Sequence, residues 1–244
     1  MNADLKKLVK RICPDFLFLP ALKVRSGLRN WRLINAPVSG TFADIYRNRS
    51  WGGTSVSGKG SDYEQTQSLR CELPELLQAY SIRSLLDIPC GDFHWMKLVE
   101  LGNRSYIGGD IVPDLIEHNN AKYSSGNRRF CVLDLMKDPL PFADLLLCRD
   151  CLIHLSFRDV HLAFKNIARS GIPYVLTTNY PLITRNTDIL TGDYRAINLQ
   201  LPPFCLPTPV TVISEDVFPE YKDDPNFIRE LGLWRGSDFV RYLA

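Results

Sequence analysis

Several of the features that place a chain quickly are missing from this one. It has no long uninterrupted apolar run: the most membrane-like stretch, MNADLKKLVKRICPDFLFLPALKV at residues 1–24, is broken by Pro14, Asp15 and Pro20, and no small-residue cleavage site follows it. The segment is read as neither secreted nor membrane-spanning. A strong charge of one sign is also absent. Lysine and arginine number 29 against 27 acids, a net +2 that gives no argument for nucleic acid. The seven cysteines (13, 71, 90, 131, 148, 151 and 205) are odd in number and scattered through apolar stretches, the pattern of free thiols in a reducing cytosol rather than of a disulfide framework. Cys148 and Cys151 form a lone CxxC with no second ligand pair, so no metal is expected. Internal repeats and low-complexity linkers are missing too.

What is present begins with an uneven charge distribution. Residues 1–35 carry eight basic side chains against Asp4 and Asp15, +6 net, which leaves −4 for the rest. That region is read as an extension packed on the main domain, with a peripheral membrane or protein contact as the alternative. With 244 residues, 45% of them apolar, the chain is long enough for one domain plus decoration. Residues 1–80 form the N-terminal extension and a lid helix. Within it the stretch SWGGTSVSGKGSDYEQTQSLRCELPELLQAY, residues 50–80, opens as a Gly/Ser-rich loop and continues as a helix for which Ser61 and Glu64 supply a capping box. Residues 81–244 form the main domain.

From residue 83 to 178, apolar strand-like runs (RSLLDIP, SYIGGDI, RRFCVLDL, ADLLLCRD, PYVLTTN) alternate with helical ones: a helix from about 92, PDLIEHNNAKY, and SFRDVHLAFKNIARSG. Such alternation predicts an α/β, Rossmann-like fold with a mostly parallel sheet and helices on both faces. Residues 180–209 read as a Pro-rich insert on the acceptor side. PVTVISEDV and ELGLWRG add two strands, seven in all, the last two an antiparallel pair.

A parallel sheet binds its ligand beyond the carboxyl ends of the strands, so the residues there are the candidates. The stretch SLLDIPCGDFHW, residues 84–95, turns sharply at Pro89-Cys90-Gly91 but has one glycine where a dinucleotide fingerprint has three. Asp92 moreover puts negative charge where a diphosphate would lie. Asp110, 23 residues after Asp87, is placed to accept from both ribose hydroxyls, and Asp134 with Leu135 to meet an adenine. A phosphate-free adenosyl ligand with a positive sulfur and an ammonium fits beside Asp87 or Asp92.

At these spacings LLDIPCGDF, YIGGDIVPDLIEHN, FCVLDLMKDPLP and DLLLCRDCLIHLS resemble the class I S-adenosylmethionine-dependent methyltransferases over residues 83–178. The resemblance implies S-adenosyl-L-methionine as cofactor, with Asp87 and Gly91 at its methionine end, Asp110 at the ribose and Asp134 with Leu135 at the adenine. Pro89, Cys90, Asp92, Phe93, Ile111 and Arg149 complete the expected cofactor set. Pro89 and Phe93 stand where the family has glycines, so the turn should be tighter and more aromatic. IYRNRSWGGTSVSGKGSDYEQT and TGDYRAINLQLPPF look similar to a bacterial methyltransferase group associated with glycan modification. By position the first is a lid over the methionine tail, with Gly58, Gly60, Ser61 and the following helix N-terminus offering donors to its carboxylate.

The expected reaction is methyl transfer to a small-molecule or carbohydrate acceptor, with O-methylation favoured. A hydroxyl acceptor calls for a base, and Asp150 and His154 after the fourth strand are the candidates. Asp188, Tyr194 and Arg195 are candidate substrate contacts. His94 and Trp95 either line the adenosine pocket or pack, and packing is the reading for Trp95. Competing readings are a non-catalytic cofactor-binding subunit, a nicotinamide-dependent oxidoreductase lacking its glycines, and a nucleic-acid methyltransferase. For the last, LPPF at 201–204 has leucine where the polar residue belongs.

Overall fold

The computed structural model describes residues 36–218 and 227–243, together with Leu33, Tyr221 and Asp224. The basic segment 1–35, and with it the expected membrane or protein contact, lies outside the described residues but for Leu33. Val38–Ala244 form one compact unit, and everything below concerns it.

Seven strands make one sheet: β1 (Ser84–Asp87), β2 (Ser105–Asp110), β3 (Arg128–Val132), β4 (Leu145–Cys148), β5 (Tyr174–Asn179), β6 (Thr211–Ser214) and β7 (Glu230–Arg235). Their order is β3-β2-β1-β4-β5-β7-β6. The first five run parallel, and β7 is antiparallel to both β5 and β6, as expected. The central strands read as continuous apolar runs because both faces are covered. Leu145, Leu146, Leu147 and Cys148 of β4 are all fully buried, and each leucine contributes about 1.5–3 kcal/mol of transfer free energy.

Four α-helices occur among the described residues: α1 (Val38–Arg47), α2 (Gln67–Ala79), α3 (Pro113–Tyr123) and α4 (Phe157–Ser170). Each buries a stripe at helical spacing, as Leu69, Leu73, Leu76 and Leu77 do on α2, and Val160, Ala163, Phe164 and Ile167 on α4. The ends of α4 follow from its flanks. The Ser156 hydroxyl accepts from the Asp159 N–H at 3.2 Å, and Gly171 takes the left-handed conformation that stops the helix. One face of the sheet packs against α2 and α3 and the other against α4.

Two expectations fail. The chain after Asp92 is not a helix but irregular backbone with a short 3-10 turn at Met96–Leu98, leaving a polar hollow lined by Lys97, Arg104 and Arg128. Phe93 and Trp95, which would have led that helix, are instead drawn into the core beside Tyr106 and Phe130. Nor does a capping box form at Ser61. Short 3-10 turns occupy Lys59–Ser61 and Tyr63–Thr66, and α2 begins at Gln67. Its N-terminus is capped from far away, the Ser68 N–H and hydroxyl donating to Asp216 at 2.9 and 2.8 Å.

The insert at 180–209 has little regular structure, and asparagines satisfy its backbone. Asn186 donates to the carbonyls of Asn198 and Pro202 and accepts from the Asn198 N–H, while the Asn198 side chain donates to the Ile183 carbonyl. Ile197, Leu199, Phe204 and Leu206 are buried on the α4 side of the sheet. The insert also reaches the turn after β4, where the Gly192 and Arg195 N–H groups donate to the carbonyls of His154 and Ile153.

Candidate active site

Strand order reverses between β1 and β4, and the loops leaving β1, β2 and β4 splay apart there to open a cleft. Its wall includes Asp87, Pro89, Cys90, Gly91, Asp92, Asp110, Ile111, Asp134, Leu135, Arg149, Asp150 and His154, which the sequence had singled out from separate stretches.

Asp87 ends β1 and is buried. It accepts from the Tyr106 hydroxyl at 2.6 Å, and burial, with Asp110 nearby, raises its carboxyl to about 7. Asp110 ends β2, and its two oxygens accept from the N–H groups of Gly91 (3.2 Å) and Val112 (3.0 Å). Burial outweighs those bonds and raises it to about 6. Asp134 accepts from the Met136 N–H and pairs with Lys137 at 3.2 Å. Beside these carboxylates run the apolar side chains of Ile111, Leu133, Leu135 and Met136.

The β1 turn is held by its surroundings. Asn119 of α3 donates to the Gly91 carbonyl at 2.7 Å, and the Cys90 N–H donates to that of Gly109. Gly91 has φ +55°, and a Cβ there would lie 2.2 Å from the Ser57 hydroxyl. Only glycine fits. Phe93 faces away from the cleft, T-shaped against Tyr106 and Phe130, and Arg128 lies over its ring.

Segment 51–62 lies across this turn. Gly58 and Ser61 do not present free N–H groups, because the Gly58 N–H donates to the Ser55 carbonyl and the Ser61 N–H to that of Gly58. The N-terminus of α2 is closed by Asp216. Gly60 serves through its carbonyl, which accepts from Arg149 Nη2 at 2.8 Å. A Cβ on Gly60 would sit 2.9 Å from Asp150 Oδ2.

Arg149 and Asp150 follow β4 and belong to a buried ion quartet with Glu215 and Arg229. Arg149 Nε meets Glu215 Oε1 at 2.6 Å, Arg229 Nε meets Oε2 at 3.4 Å, and Asp150 Oδ2 lies 3.3 Å from Arg149 and 3.1 Å from Arg229. Arg149 also packs over the Trp95 ring. Burial works against the charge of Asp150, but Arg229 and then Arg149 outweigh it and hold the carboxyl at about 2. A carboxylate so stabilised is a weak base.

His154 differs. Its ring stacks on Trp51 (centroids 4.8 Å apart), its Nδ1 lies 2.7 Å from the Asp193 carbonyl, and burial lowers its pKa. Of the insert residues, Tyr194 is half exposed, with its ring near His154 and its hydroxyl 3.3 Å from that of Tyr180. Asp188 accepts from the Phe157 and Ile189 N–H groups, and Arg195 lies over Phe157 and donates from Nη1 to the Leu152 carbonyl, its buried Nε and Nη2 having no hydrogen-bond partner among the described residues.

Sequence reasoning missed one whole wall. Val38, Phe42 and Tyr46 of α1 line the cleft at four-residue spacing, a signal legible in the sequence. Nothing in the sequence singled out Glu215, just after β6, and Arg229, just before β7, which reach the site from positions distant along the chain.

No protein-family model and no curated protein matches the sequence. Solved structures do. An S-adenosylmethionine-dependent methyltransferase from Leishmania major superposes with TM-score 0.60 at 14% identity, covering 81% of this chain and 83% of that one. N-methyltransferase NodS from Bradyrhizobium japonicum WM9 in complex with S-adenosyl-L-homocysteine gives 0.56 at 13% identity over 80% and 97%. Human N-acetylserotonin methyltransferase gives 0.51 at 16% identity over 83% of this chain, which spans 60% of that longer one. The chain has the Rossmann-like fold of the class I S-adenosylmethionine-dependent methyltransferases.

Proposed function

We propose that this protein transfers a methyl group from S-adenosyl-L-methionine to a hydroxyl of a small-molecule acceptor, with sugars the first class to test. The observation that carries the cofactor assignment is the pair of buried carboxylates, Asp87 and Asp110, at the switch point of this sheet. Desolvation raises both toward neutrality, so a ligand bringing an ammonium and ribose hydroxyls relieves a cost already present in the fold. A diphosphate would meet Asp87, Asp92 and Asp110 together, which argues against a dinucleotide.

When bound, S-adenosyl-L-methionine supplies a methyl group already activated on sulfur, so the protein's work is positioning and proton removal. Asp110 accepts from the ribose, Asp134 and the apolar residues around it hold the adenine, and Asp87 faces the ammonium. Segment 51–62 closes over the methionine end as a lid. The hydroxyl preference rests on His154. A carbonyl only accepts hydrogen bonds, so the Asp193 carbonyl requires a proton on Nδ1 and leaves the lone pair on Nε2. With its pKa lowered, the ring is a neutral base near pH 7. Asp150, fixed in its ion pairs, orients the turn that carries His154.

Titration calorimetry with S-adenosylhomocysteine, S-adenosylmethionine and NAD, on wild type and Asp110→Ala, tests the reading. Micromolar binding of the adenosyl ligands that Asp110→Ala weakens at least tenfold, with no NAD binding, is expected. Binding of NAD alone would overturn it.

A further inference from the structure

Asp92 lines the cofactor cleft, yet its carboxylate is already engaged. The Ser55 hydroxyl donates to Oδ1 and Oδ2 at 2.9 and 3.0 Å, the Val56 N–H to Oδ2 at 3.1 Å and the Ser57 hydroxyl to Oδ1 at 3.2 Å. The His94 N–H, two residues along, adds a bond at 3.3 Å. In return the Asp92 N–H donates to the Ser57 hydroxyl at 3.1 Å. One side chain thus gathers three consecutive residues of segment 51–62, about 35 positions away in sequence, onto the β1 turn. Gly91 next to it leaves room for the Ser57 side chain, since a Cβ would come within 2.2 Å of the hydroxyl.

The segment has a shape of its own. The Asp62 carboxylate turns it back by accepting from the N–H groups of Thr54 and Ser55, and Arg149 reaches the Gly60 carbonyl. Ser55 and Ser57 nevertheless meet the turn through polar bonds to Asp92, and Val56 adds its N–H to that carboxylate while its side chain packs against the core cluster beside the turn. Such bonds contribute modestly each because water can replace them, about 0.5–1.5 kcal/mol net. A contact of this kind can be held closed and still be opened.

We propose that Asp92 is a positioning residue, the seat on which Ser55–Ser57 close over the methionine end of the cleft, and not a ligand of the cofactor's ammonium. The inference rests on the adenosyl reading of the cleft. With its acceptor sites taken by the segment, Asp92 sets how fast a cofactor enters and leaves more than how tightly it is held. The ammonium falls to Asp87, which keeps a single side-chain donor, Tyr106.

Stopped-flow binding of S-adenosylhomocysteine and of 5′-methylthioadenosine, which has the nucleoside and thioether but no amino-acid tail, separates the two roles. Asp92→Ala should raise the association and dissociation rate constants of both ligands about tenfold, leaving each Kd within about threefold. The double variant Ser55→Ala/Ser57→Ala, which keeps the Asp92 carboxylate and gives up the serine bonds to it and to the Asp92 N–H, should do the same. If Asp92 were an ammonium ligand, Asp92→Ala would speed dissociation of S-adenosylhomocysteine alone and the serine variant would change neither rate, and either result overturns the proposal. Amide hydrogen exchange on the ligand-free protein reads the seat without any cofactor. Exchange over residues 52–62 should accelerate in both variants while β1 and β4 keep their protection, and unchanged exchange overturns the proposal. A wild type that binds neither nucleoside would refute the adenosyl reading, with the exchange result still deciding the seat.

Discussion

His154 Nδ1 lies 2.7 Å from the main-chain carbonyl of Asp193, in the insert that follows β5. That contact fixes which ring nitrogen carries the proton, and it joins the turn after β4 to a segment nearly forty residues further along. In the proposed reaction the base and the insert that orients it are one device. His154→Ala should lower kcat by about 10²–10⁴ while leaving S-adenosylhomocysteine affinity within about twofold. Because burial lowers the pKa of His154, protonation removes the base only at acid pH: kcat should be flat near neutrality and fall only at a pH below the ordinary imidazole range. A His154→Ala enzyme with full turnover would remove the residue from this role.

Asp87 and Asp110 carry a pH signature of opposite sign to an ordinary salt-bridged acid. Their folded values, about 7 and about 6, lie above the ordinary aspartate value of 3.8. The folded state therefore holds more protons than the unfolded state between about pH 4 and pH 7. These groups impose no cost below that window, and stability falls as pH rises through it and levels off above. The Tm of the ligand-free protein should drop between about pH 4 and pH 7. Asp87→Asn, which removes the charge and still accepts from Tyr106, should raise Tm at pH 8 and flatten the slope. Calorimetry across that range checks both, and a wild-type slope in Asp87→Asn would contradict the assignment.

Glu215 is fully buried between two guanidinium groups. Glu215→Ala leaves Arg149 and Arg229 short of a partner in the interior, at a cost of about 3–5 kcal/mol. For a unit of this size that is a Tm lower by roughly 10 °C. Glu215→Gln should fall between the two, because it keeps acceptors for one arginine and loses the charge. Equal melting of all three proteins would show the quartet to be energetically idle.

Gly60→Ala tests the close approach between segment 51–62 and the quartet. The new Cβ meets Asp150 Oδ2 at 2.9 Å, so either the segment or the carboxylate must move. Destabilisation of about 1–3 kcal/mol is expected, with weaker S-adenosylhomocysteine binding because the Arg149 contact to the Gly60 carbonyl is disturbed. Denaturant melts and calorimetry give the two numbers independently.

The sequence failed locally where distant residues outcompeted local signals. Ser61 and Glu64 present a good capping box, yet Asp216, far along the chain, takes the N-terminus of α2 instead. The stretch after Asp92 can pattern as a helix, but Phe93 and Trp95 gain more by entering the core, and the backbone follows them. Glycines 58 and 60 advertise backbone donors, whereas their turn uses the Gly58 N–H internally and offers Gly60 as an acceptor.

By itself the sequence determined the sheet and its helices, because apolar runs and helical stripes are local periodicities that need no partner to be read, and with them the strand-end acids Asp87, Asp110, Asp134 and Asp150. Only the tertiary structure decided what those acids are. Their charge depends on burial and on neighbours brought together from β2, β4, β6 and the segment before α2. Asp87 and Asp110 became desolvated carboxyls, Asp150 an ion-paired carboxylate and Asp92 an anchor, although all four are the same side chain in the sequence.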